Sequence, residues 1–180
     1  MTNAEKIVQA CDELAFPYGT KKAKYKYKHK KGTKVKKYDS DRPTKANKKA
    51  FDKIFKDHWE WGSTKHGYGQ RTNACCDDFA ALIVRYAGVD KKFPHATGTL
   101  LKGYKSDHFK RIKYTNAEQL KEGDIIVYKK TNGGEHVIIY AHGKRCDAGL
   151  NNRYGCYHKM RSTDLAKGKF KYGYIYRAKG

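Results

Sequence analysis

The sequence predicts an α+β fold, helices first and an antiparallel meander afterwards, on three observations. Apolar residues recur at helical spacing before residue 90, short alternating runs separated by glycine turns fill the region after residue 120, and strand and helix patterns nowhere alternate as βαβ units. The chain has 180 residues, the length of one domain, and no internal repeat is visible in it.

Thr2 and Glu5 have capping-box spacing, and Ile7, Ala10, Cys11 and Leu14 then share one helical face as far as the Phe16-Pro17 stop. Residues 21–49 hold fourteen Lys or Arg against Asp39 and Asp41, with Tyr25, Tyr27 and His29 interleaved, and read as a basic hairpin or arm inserted in the domain. A second helix is expected after Pro43, carrying Ala50, Phe51, Ile54, Phe55 and His58, followed by a Gly-rich loop over 62–72. The least polar helix, 76–87, is closed by Gly88. Thr115 and Glu118 suggest another capping box. Strands are expected over 125–129, 136–140, 144–148 and 172–177, with turns at 131–134 and at His142-Gly143.

Forty Lys and Arg against 18 Asp and Glu give a formal charge of +22. Such an excess points to a polyanionic partner: nucleic acid, anionic lipid, or a wall polymer bearing phosphate and carboxylate. No apolar run approaches the roughly 20 residues of a membrane span, and the first residues read as an amphipathic helix, not a secretory signal. The five cysteines, Cys11, Cys75, Cys76, Cys146 and Cys156, are odd in number and lack a Cys-x-x-Cys pair, so neither a full disulfide set nor a zinc ribbon is expected. Histidines 29, 58, 66, 95, 108, 142 and 158 show no paired ligand spacing, and no metal or other cofactor is expected. A phosphate-binding glycine loop, a Gly-x-Ser-x-Gly elbow and an RNA-binding aromatic signature are all missing from the sequence.

Cys76 stands where a loop gives way to a buried helix, and the unpaired amides of a helix N-terminus favour a thiolate. Such a thiol is either a nucleophile or a small core residue, and the adjacent Cys75 leaves open a different reactive thiol or a redox pair. Asp77 and Asp78 would raise the pKa of a thiol beside them, so an opposing histidine is needed. His136 opens an otherwise apolar strand. A two-residue turn at His142-Gly143 pairs Ala141 with Lys144 and sets Ile138 across from Asp147, which makes His136 and Asp147 diagonal neighbours on one face. A carboxylate there can accept the ring's Nδ1 proton and fix its tautomer, as a thiol and imidazole pair requires.

Residues 76–88, Cys-Asp-Asp-Phe-Ala-Ala-Leu-Ile-Val-Arg-Tyr-Ala-Gly, resemble the Cys-x-x-Phe opening of the nucleophile helix in NlpC-type papain-like cysteine peptidases, which cut peptides of microbial cell walls. Residues 120–128, 136–140 and 147–149 resemble the strands that carry that family's catalytic histidine and its polar partner. The likeness covers roughly residues 70–150, with weaker similarity over 61–69 and 91–94 to clostridial and archaeal relatives. It implies a papain-like fold, a single catalytic domain over 1–180, and Cys76, His136 and Asp147 as catalytic residues, with Cys76 preferred to Cys75. The chain departs from the pattern at Asp77-Asp78, where the family commonly has Ser-Gly, and at Asp147, where many relatives carry His, Asn or Gln.

The expectation is therefore a monomeric cysteine peptidase or amidase acting on an anionic wall polymer, peptidoglycan or pseudomurein. Without a signal it would stay cytoplasmic until released, as in a viral lysin, or be carried in a particle. Two alternatives remain: a nucleic-acid-binding protein using residues 21–49, and a wall-binding module without catalysis.

Overall fold

A computed structural model describes residues 1–15, 76–149, 152–160 and 169–180. The basic segment 21–49, the helix expected after Pro43, the loop 62–72 and Cys75 lie outside the described residues. Helix α1 spans Asn3–Leu14, α2 Cys76–Tyr86 and α3 Thr97–Lys102. The strands are β1 Phe109–Lys113, β2 Ile125–Lys130, β3 Glu135–Ala141, β4 Lys144–Gly149, β5 Asn152–Lys159 and β6 Phe170–Ala178. All pairings are antiparallel in one sheet of order β1-β6-β2-β3-β4-β5, so the α+β expectation holds for the described residues.

Local chemistry fixes most of the element ends. Thr2 Oγ1 accepts the Glu5 amide while the Glu5 carboxylate accepts the Thr2 amide, the expected capping box. Helix α2 ends at Tyr86 in a double-bonded cap, with Gly88 at φ +72, its amide on the Arg85 carbonyl and the Val89 amide on the Val84 carbonyl. The β3–β4 connection has positive φ at both His142 and Gly143, the hairpin turn whose twist matches its strands, and it pairs Ala141 with Lys144 as the sequence implied. The Glu122 carboxylate accepts both turn amides.

One capping expectation needs correcting. The cap before β2 is Asn116, not Thr115, and Gln119 completes its box around the short 3-10 turn Ala117–Gln119. An Asn carboxamide is an equally good acceptor and sits one residue closer to the turn. Three elements were not foreseen. Helix α3 is only six residues long, β1 is a mostly exposed edge strand, and β5 contains Gly155 and alternates too weakly to stand out in the sequence.

The helices cover one face of the sheet. Ile7, Cys11 and Leu14 of α1, Phe79 and Ile83 of α2 and Leu100 of α3 bury against Val127, Val137, Ile139, Cys146, Tyr157 and Tyr176. A smaller cluster of Tyr114, Ile126, Tyr128, Ile138 and Ile175 occupies the other face, as the period-two alternation requires. Removing each large aliphatic or Phe side chain from water contributes about 1.5–3 kcal/mol, so this two-faced burial holds the frame rigid around the strand ends.

Helix α2 and strand β5 approach closely at Gly155, where φ is +76 and a Cβ would stand 2.1 Å from the Phe79 ring. Gly155→Ala is expected to destabilise the protein by about 3 kcal/mol or more, through strain and overpacking together. Urea unfolding measures this, and a midpoint equal to the parent's would show that α2 does not press on β5.

Candidate active site

Cys76 is the first residue of α2 and a free, partly buried thiol packed against the helix-side core. Its position follows from the stripe of Phe79, Ala80 and Ile83, which seats α2 on the sheet and carries the start of the helix to the opening of β3. There the Cys76 sulfur lies close enough to the His136 imidazole to favour the ring's charged form. His136 Nε2 also lies 2.6 Å from Asp147 Oδ2. The three residues singled out in the sequence thus converge, from one helix end and two adjacent strands.

The ring nitrogen is not the expected one. Nε2, not Nδ1, meets Asp147, which leaves Nδ1 for the thiol. A diagonal pair across antiparallel strands is separated by about 7–8 Å, a span that the far nitrogen reaches more readily. Tyr128, opposite His136 on β2, closes a further side of the imidazole with its ring at 5.7 Å in an edge-on arrangement.

Electrostatics at this point are strong because water is scarce. The His136 side chain is 15% exposed and that of Asp147 only 5%. Burial alone would pull the imidazole below its ordinary range. The hydrogen bond to Asp147 and the nearby Cys76 sulfur, together with the charges of both groups, outweigh it and push the ring up to about 10. The arrangement can therefore keep an imidazolium beside a sulfur through neutral pH.

Asp77 and Asp78 are engaged by the segment leading into α3. Asp77 Oδ2 accepts the Thr97 amide at 3.3 Å and its Oδ1 accepts the Asp78 amide at 2.9 Å. Burial raises the Asp77 pKa despite these bonds. The buried Asp78 carboxylate faces His95 Nδ1 at 3.7 Å. The two acids tie the start of α2 to the start of α3, a role that sequence spacing does not reveal.

Sequence reasoning also missed a second polar cluster. Asp12 of α1 accepts the Tyr157 hydroxyl at 2.6 Å and lies 2.8 Å from His142 Nε2. Tyr157 is wholly buried, and burial, followed by the neighbouring Cys146, Cys11 and Asp12, drives its phenol far upward, so it stays neutral. The cluster anchors α1 to the β3–β4 turn and β5. Its only sequence signal is an acid at position 12 inside an apolar stripe.

Among the described residues no group of three or more His, Cys, Asp or Glu is placed to hold a metal ion, and no described helix is long and apolar enough to cross a membrane. No family model, curated protein or solved structure matches the chain.

The raised His136 pKa has a stability consequence with a definite sign. A ring that titrates near 6.5 unfolded and near 10 folded contributes stability that is complete below about pH 6.5 and lost as pH climbs through 10. Asp147→Asn removes the carboxylate's part of that contribution. The gap in unfolding free energy between wild type and Asp147→Asn should therefore narrow from pH 6.5 to 10. Urea titrations across that window check it, and a gap independent of pH contradicts the charge pair.

Proposed function

We propose that the protein is a cysteine-dependent hydrolase that cleaves amide bonds in cell-wall peptides, with an NlpC-type papain-like fold. The single observation that carries this reading is the convergence of Cys76, His136 and Asp147 at the start of a helix. The resemblance of residues 76–88, 120–128, 136–140 and 147–149 to that family's pattern suggests the substrate class.

The chemistry follows from the geometry. The Cys76 sulfur, its proton passed to His136, attacks the scissile carbonyl carbon and forms a C–S bond. The developing oxyanion lies at the N-terminus of α2, beside the amide of Cys76, which has no carbonyl earlier in the helix to bond, whereas the Asp78 amide is already taken by Asp77. His136 then gives its proton to the departing amine as the C–N bond breaks. In the second half His136 takes a proton from water, the hydroxide adds to the thioester carbon, and the C–S bond breaks to release the acid. Asp147 holds the ring in one orientation and stabilises its charged form throughout.

The net charge of +22 fits the same reading. Wall polymers are anionic, and Coulomb attraction concentrates a cationic enzyme on them. The protein acts at the wall as a monomer, reaching it by release from the cytoplasm or with a particle, as a lysin does. Peptidoglycan and pseudomurein both present the required amides.

Purified walls treated with wild-type protein should release new amino termini, or lactyl-linked glycan ends for an amidase, that mass spectrometry identifies. Cys76→Ala and His136→Ala should each lower release by at least about a thousandfold. Either variant working at the parent's rate would overturn the assignment, and salt-sensitive binding to DNA with no product from walls would favour the nucleic-acid reading.

A further inference from the structure

Beyond the helical layer, the helix-side face of the sheet continues as an open ledge. Tyr172, Tyr174 and Tyr176 alternate along β6 and point to one face. Tyr176 is buried under α3, where its hydroxyl donates to the Leu100 carbonyl. Tyr174 is half-buried at the rim of that core, and Tyr172 is 40% exposed; with Met1 it is one of two exposed large hydrophobic residues among those described. Its ring packs on Tyr174 at 6.3 Å between centroids.

Cations border the tyrosines. The Arg111 guanidinium stacks 3.5 Å over the Tyr174 ring and donates to the Leu101 carbonyl, so it is held in place without a carboxylate. Strand register sets exposed Lys113 beside Tyr174, and Lys129 beside Tyr172. Glu135, opposite Lys129 on β3, is the acid that register brings to this end of the face.

The ledge leads to the candidate active site. Tyr172 pairs with Lys129, and Lys129 pairs with Glu135, the chain neighbour of His136, so the exposed end of the ledge lies at the end of the sheet where β3 opens. Two strand spacings, about 10 Å, separate Tyr172 from Glu135. That distance is a few bonds of an extended polymer.

We propose that the ledge of Tyr172, Tyr174, Arg111, Lys113 and Lys129 binds the carboxylate-bearing glycan-peptide strand of the wall polymer and feeds its amide to Cys76. The inference rests on the hydrolase reading for the occupant, and on two observations for the site. Among the described residues, three cations against one acid complement an anionic strand, and rigid tyrosine rings offer large amphipathic contact area at low entropic cost. An acidic polymer bearing sugar rings satisfies both.

The test separates binding from turnover. Cys76→Ala protein is titrated with fluorescein-labelled soluble strands released from purified sacculi, native or with their carboxylates amidated. Native strands should bind at least fivefold tighter than amidated ones. Adding Tyr172→Ala with Lys113→Gln should weaken native binding about tenfold, and the exposure of both residues leaves the fold intact, which circular dichroism and urea unfolding verify. Adding Arg111→Lys to the Cys76→Ala parent, which keeps the charge and alters the stacking, should weaken binding about threefold. Parent-like affinity in the Tyr172→Ala, Lys113→Gln protein, or equal affinity for native and amidated strands, overturns the ledge. Amide cleavage by the wild type is scored separately on whole walls: cleavage with no ledge effect sinks only this inference, and no cleavage sinks the hydrolase reading.

Discussion

A charged imidazole held out of water is the constraint around which the rest of the structure is arranged. His136 can remain protonated at a mostly buried position only because an Asp147 oxygen lies 2.6 Å from Nε2 and Cys76 adjoins the same ring. Burial works against the charge and the two partners work for it. Such a balance survives only in a frame that fixes both partners, because a shift of an ångström or two at either one would leave a buried charge without compensation.

The frame supplies that fixity from several directions. The β3–β4 hairpin sets His136 and Asp147 by a turn with two positive-φ residues, so their register is determined within a few positions. The thiol depends on more distant contacts. The apolar face of α2 presses on β3, β4 and β5, Gly155 gives the Phe79 ring room, and Asp77 ties the first turn to Thr97. Helix α1 is joined to the sheet by Asp12 through His142 and Tyr157, which places the anchor one residue beyond the β3 end, six positions along the chain from His136.

What the sequence disclosed divides along the same line. Elements defined by local chemistry were legible: the Thr2–Glu5 box, the Gly88 cap, and the hairpin through His142-Gly143, from which the proximity of His136 and Asp147 follows by alternation. The choice of ring nitrogen was not, since it depends on how the side chain crosses the sheet diagonally. Helix α3 and strand β1 were hidden because each is short and owes its place to long-range contacts, Arg111 to Leu101 and Tyr176 to Leu100. The Asp12 cluster joins residues about 130 to 145 positions apart, a separation over which no periodicity carries information. The ledge becomes visible only when β1, β6 and β2 lie side by side, because its tyrosines and cations come from three separate strands.

Nitrogen NMR of the histidine side chains, followed over pH in wild-type and Cys76→Ala protein, tests the central claim most directly. The His136 ring should show the shifts of an imidazolium through neutral pH in the wild type and give up its proton near pH 10. Removing the sulfur should move that titration to lower pH, because one of the groups sustaining the charge is gone. A neutral His136 ring at pH 7 in the wild type, or a titration unmoved by the loss of Cys76, would contradict the account.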